Sequence, residues 1–114
     1  MDEDRPVILF ITDDPALGAM FRLRLQSEDY AVTWISTDEL DEVLPDVSAD
    51  LVYFDVDSAR ATVASVLFRL RRSPGTRNRP LVLISRTPEE QLRKRLPLAP
   101  QDFVLALYQY EAAS

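Results

Sequence analysis

Five short apolar runs, each bounded by polar residues, recur along the chain: VILFI at 7–11, AVTWI at 31–35, LVYF at 51–54, LVLI at 81–84 and FVLAL at 103–107. Their length and their β-branched or bulky content predict buried strands. Between them the apolar spacing changes to that of helices. Leu17, Phe21 and Leu25 recur at i, i+4 and i+8 on a helix over ALGAMFRLRLQSED. Leu40, Val43 and Leu44 give a short second apolar face, and Val63, Val66, Leu67 and Leu70 a third. The helix starts are marked as well. Asp14 is placed to cap a helix with Pro15 in its first turn, Ser36 and Glu39 fit a capping box, and Thr87 with Pro88 and Glu90 predicts the start of a fourth helix. RLRR at 69–72 puts cations at the negative end of the third helix, SPGTRNRP reads as a loop, and Pro97 and Pro100 keep the fourth helix brief.

Strand and helix thus alternate about five times with short connections, which predicts a parallel sheet covered by helices on both faces and right-handed crossovers. No linker or repeat divides residues 1–114, so one domain is expected. The last segment has two registers. Read as a strand, 103–107 completes the sheet. Read as PQDFVLALYQYEAA, it is a helix with Phe103, Leu107 and Tyr110 on one stripe.

Composition removes several kinds of chemistry. The chain has no cysteine, hence no disulfide or thiolate metal site, and no histidine, hence no imidazole base, ligand or phosphohistidine. No run approaches the roughly 20 apolar residues that span a bilayer, and the opening MDEDRP lacks the basic start and apolar core of a secretory signal. A cytoplasmic protein with no membrane insertion is expected. The net charge of −6 is divided unevenly: residues 1–58 hold 15 acids against 3 arginines, and residues 59–114 hold 4 acids against 10 basic residues. The acidic balance and the lack of a recognition element argue against direct nucleic-acid binding.

In an open doubly wound sheet, ligands bind beyond the carboxyl ends of the strands near the point where strand order reverses. If the first and third strands are neighbours, Asp13, Asp14 and Asp55 converge there. Carboxylates so grouped repel one another unless a cation sits among them, and a hard cation such as Mg2+ suits oxygen ligands. Asp55 is alternatively a nucleophile toward a phosphoryl group, with the Ser85 hydroxyl, at the end of the fourth strand, placed to hydrogen-bond the product. Taken singly, Asp-Asp-Pro is a helix cap and an Asp after a strand is a loop residue. Their combination at strand ends carries the site reading.

VILFITDDPALGAMFRLRL, DLVYFDVD and LRRSPGTRNRPLVLIS together resemble the receiver domain of two-component response regulators, over residues 6–107. The resemblance implies a three-layer, flavodoxin-like, doubly wound sheet of five parallel strands in the order 2-1-3-4-5. It maps metal binding onto Asp13, Asp14, Asp55 and the backbone carbonyl of Asp57. It makes Asp55 the phosphoacceptor, Ser85 the phosphoryl-sensing hydroxyl, and Ser85 with Phe103 the switch pair. Three features depart from the family. Ala106 falls where it has a lysine, Ala59 where it has a proline after the acceptor, and YQYEAAS is too short for its fifth helix. The Asp57 side chain is expected to be solvent-exposed.

Two functions follow. In the first, Asp55 accepts a phosphoryl group from a histidine kinase or phosphotransfer protein with Mg2+ and switches a surface for a downstream protein or a second copy of the chain; its enzymology is at most self-phosphotransfer and slow self-dephosphorylation. In the second, an atypical receiver binds protein partners without a phosphorylation cycle, which Ala106, the altered loop and the short tail favour. A stand-alone hydrolase lacks a general acid and a substrate pocket in the sequence.

Overall fold

The computed structural model describes residues 5–106, and within them the alternation is realised as a five-stranded parallel sheet. The strands are β1 (Val7–Ile11), β2 (Ala31–Ile35), β3 (Leu51–Asp55), β4 (Leu81–Ser85) and β5 (Phe103–Ala106), in the order β2-β1-β3-β4-β5. Four helices connect them: α1 (Pro15–Ser27), α2 (Leu40–Val43), α3 (Val63–Arg72) and α4 (Glu89–Arg95). The result is the three-layer, flavodoxin-like architecture expected. Among the described residues no helix is long and apolar enough to cross a membrane.

Alternation along β1 divides the core in two. Ile8 and Phe10 face α1, where they pack with Phe21 and Leu25, while Leu9 and Ile11 join Leu40, Val66, Leu67, Leu70 and Leu92 from the other three helices and Leu44 just after α2. Each such side chain contributes roughly 1.5–3 kcal/mol by leaving water. On the α1 side the rings of Phe10 and Phe21 lie 5.1 Å apart and those of Phe10 and Tyr53 5.9 Å apart, within the range where aromatic pairs add to burial.

The helix signals are met unevenly. Asp14 caps α1 through the N–H groups of Ala16 and Leu17, with Pro15 in the first turn. Glu39 accepts from the Ser36 N–H at 3.0 Å, but α2 is a single turn flanked by 3-10 turns over Thr37–Glu39 and Leu44–Asp46. Pro45 explains the brevity, since it has no N–H to continue the ladder. The expected Thr87 cap is not formed: α4 begins one residue later, at Glu89, and Thr87 belongs to the turn after β4, where its N–H donates to Ser85 Oγ at 2.9 Å.

At the far edge the strand register holds, and the helix register for 103–106 is not adopted. Leu107, Tyr110 and the segment where a fifth helix was in question lie outside the described residues. What brings β5 to the sheet is a clamp on Asp102, which is 7% exposed. Its carboxylate accepts from Arg71 and from the Ala99 N–H, both at 2.8 Å. Arg71 also donates to the Pro97 carbonyl at 2.7 Å, and Arg93 to the carbonyls of Ala99 at 3.0 Å and Asp102 at 2.6 Å. The two arginines thereby satisfy the backbone of a proline-interrupted segment that has no helix ladder of its own.

Gly75 sits where two loops meet at the amino end of the sheet. Its carbonyl accepts from the Ala49 N–H at 3.1 Å, and a Cβ there would lie 1.8 Å from the Val47 carbonyl oxygen. Neither backbone can yield without losing that bond. Gly75→Ala should therefore cost about 1–3 kcal/mol in urea unfolding, as overpacking does; an unchanged midpoint would mean that the loops are not in contact.

Candidate functional site

The carboxyl ends of β1, β3 and β4 are adjacent, and the side chains there form one continuous hydrogen-bonded network. Asp55 ends β3 and is 2% exposed. A buried carboxylate must be hydrogen-bonded or it costs several kcal/mol. Its Oδ2 accepts from the Thr12 hydroxyl at 2.8 Å and its Oδ1 from the Asp57 N–H at 3.2 Å. A hydroxyl has one hydrogen to give. Since that of Thr12 goes to Asp55, the 3.2 Å contact between Thr12 Oγ1 and Ser58 Oγ is a bond donated by Ser58. Ser58 in turn accepts from the Asp13 N–H at 3.0 Å, and Thr12 from the Asp14 N–H at 3.0 Å.

The two acidic residues after β1 turn away from Asp55. Asp13 accepts from the Thr37 N–H at 2.8 Å, the Thr37 hydroxyl at 2.6 Å and the Arg60 N–H at 2.8 Å. It thus ties the segment after β2 to the loop after β3. Burial pushes its carboxyl pKa up, but the Thr37 hydroxyl, the Arg60 and Thr37 N–H groups and the Arg60 charge outweigh this and hold it below the ordinary value. Asp14 is committed to capping α1, at 3.0 Å from the Ala16 nitrogen and 3.3 Å from that of Leu17.

Ser85 is fully buried at the end of β4. Its hydroxyl donates to Asp57 Oδ1 at 2.7 Å, and the next N–H, that of Arg86, donates to Asp57 Oδ2 at 2.7 Å. Asp57 is exposed, as expected, yet both carboxylate oxygens are used. Ala106 is the register partner of Ser85, so the end of β5 borders the same edge. Phe103 does not reach it: paired with Val82, it lies three residues back, roughly 10 Å along the strand, and is 59% exposed.

Asp55, Asp57 and Ser85 are therefore brought together, Asp13 and Asp14 border them with their carboxylates directed elsewhere, and Phe103 stands apart. Thr12, Thr37 and Ser58 were not legible as site residues. Hydroxyls next to acids at strand ends are the signal that points to them.

No protein-family model matches the sequence, and no curated protein matches it. Solved structures do. A response regulator receiver protein from Sinorhizobium medicae superposes with a TM-score of 0.74 at 20% identity, covering 97% of this chain and 92% of that one. A response regulator receiver domain from Methylobacillus flagellatus gives 0.71 at 16% identity, over 90% and 86% of the two chains. The receiver domain of a sensor histidine kinase from Pseudomonas aeruginosa gives 0.76 at 17% identity, over 96% and 93%. The chain has a receiver-like fold.

The Pseudomonas domain holds a magnesium ion in its active-site cleft. In this receiver-like chain, no three acidic groups among the described residues are arranged to hold a metal ion. The carboxylates next to Asp55 are engaged with the chain itself, Asp13 with Thr37 and Arg60 and Asp14, through Oδ1, with the start of α1, so as folded they form no carboxylate cluster for Mg2+.

The Asp13 contacts predict an acid-dependent contribution to stability. Its folded pKa is depressed, so the contribution is complete above the unfolded value near pH ~4 and is lost as pH falls through the folded value. Asp13→Ala should lose about 1–3 kcal/mol at neutral pH, and the gap to wild type should narrow below pH ~4 in urea titrations. A gap independent of pH would contradict the assignment.

Proposed function

We propose that the chain is a cytoplasmic, receiver-like signalling module that binds protein partners without a phosphorylation cycle. The observation that carries this reading is the closure of the acidic pocket: Asp55 is 2% exposed with both carboxylate oxygens bonded inside the chain. In-line attack on a phosphoryl donor requires an accessible oxygen in a near-attack geometry, and both oxygens already face fixed donors. The commitment of Asp13 to Thr37 and Arg60 and of Asp14 to α1 supports the same reading, since neither carboxylate is directed at Asp55. On this reading the pocket is a scaffold that joins strand ends. Partner recognition falls to the surfaces around it, including the β4–α4 turn and the exposed Phe103 on the edge strand β5. The partner is a downstream protein or a second copy of the chain.

A second reading, in which Asp55 is a Mg2+-dependent phosphoacceptor for a histidine kinase or phosphotransfer protein, is favoured by one observation. Asp55 pairs with Ile84, which places the Ser85 hydroxyl at the neighbouring strand end. One experiment separates the two. The protein is incubated with acetyl phosphate and Mg2+ beside an ordinary receiver domain, and the intact mass is measured. The expected result is no phosphoryl adduct on this chain while the control is labelled. An adduct mapped to Asp55 and abolished in Asp55→Asn would overturn the phosphorylation-independent reading.

A further inference from the structure

The bond pattern at the end of β4 carries an inference about how this edge is set. Ser85 has no exposed surface, so its hydroxyl hydrogen must find an acceptor inside the chain. The Arg86 N–H follows immediately and points the same way. Two adjacent donors converging on one point make a small anion-binding element, and a carboxylate fills it: Asp57 Oδ1 and Oδ2 each accept one bond at 2.7 Å. The Arg86 N–H distance lies at the short end of the N–H···O range, and the Ser85 distance is that of a well-formed O–H···O bond. The element extends one residue further, because Ser85 Oγ accepts from the Thr87 N–H at 2.9 Å.

Core packing does not dictate this arrangement. Asp57 is an exposed residue on the loop after β3, where water alone would satisfy its carboxylate. Its own N–H donates to Asp55 Oδ1 at 3.2 Å, so one residue holds the pocket with its backbone and the β4 turn with its side chain.

We propose that Asp57 is an intrachain ligand of the Ser85–Arg86 donor pair, so that the turn between β4 and α4 stays in its anion-bound arrangement with nothing added to Asp55. This deepens the phosphorylation-independent reading, on which it rests: the module has a permanent anion at the position where an external one would have to compete for the same two donors. Asp57 is a positioning residue, acting through Ser85 and Arg86 on the shape of the turn.

Amide hydrogen exchange by NMR on the full chain tests it. In Asp57→Ala, exchange at Arg86 and Thr87 should accelerate about tenfold or more, the scale of losing a charge-assisted bond. Phe54 and Leu83 in the sheet core should change by less than about twofold. Asp57→Asn keeps one acceptor oxygen and should fall between Asp57→Ala and wild type. Unchanged exchange at Arg86 in Asp57→Ala would overturn the proposal, as would an equal rise at Phe54 and Leu83, which would mark a general loss of stability. A wild-type phosphoryl adduct on Asp55 would overturn the phosphorylation-independent reading and leave this exchange result to stand by itself, so the two failures are distinguishable.

Discussion

Strand β3 carries the carboxylate of Asp55 to the carboxyl end of the sheet but not into water, and the surrounding chain is organised to satisfy it. An unpaired carboxylate at that depth would cost several kcal/mol. The Thr12 hydroxyl and the Asp57 N–H meet the two oxygens. Each of these partners is itself held: Thr12 by Ser58 and by the N–H that starts the α1 cap, Asp57 by the end of β4. Asp13 extends the network to the segment after β2 through Thr37. One buried acid thus accounts for the conformation of the loops after β1 and β3 and, through Asp57, for the turn after β4.

The same constraint explains why a receiver-like sheet need not imply receiver chemistry. Strand order and register bring Asp55 and Ser85 to neighbouring strand ends, which is a property of the fold. Whether a pocket there holds a cation or a phosphoryl group depends on where the carboxylates point. In this chain hydroxyls and backbone N–H groups engage both oxygens of Asp13, Asp55 and Asp57, and Asp14 caps α1 through Oδ1.

Most of the architecture was legible because it rests on local patterns. Apolar runs marked all five strands to within a residue or two, and the Asp14–Pro15 signal set the start of α1. Two helix details differ from the sequence reading. Thr87 has good capping chemistry but lies in the turn after β4, one residue short of the helix; Ser36 and Glu39 interact as expected, but Pro45 stops the helix they begin. The clamp on Asp102 was hidden because it joins α3, α4 and the segment before β5, contacts that exist only after folding. At the site, residue identity and strand position located Asp55, Asp57 and Ser85. The direction of each carboxylate depended on tertiary partners such as Thr37 and Arg60, contacts that exist only after folding.

The chain satisfies its own pocket carboxylates. Urea unfolding with and without about 10 mM MgCl2, at matched ionic strength, tests this most directly, because a ligand that binds only the folded state raises its stability. The unfolding free energy should be the same in both. Stabilisation by about 1.4 kcal/mol, the effect of a cation at roughly ten times its dissociation constant, would contradict it if Asp55→Asn or Asp13→Asn removed the effect.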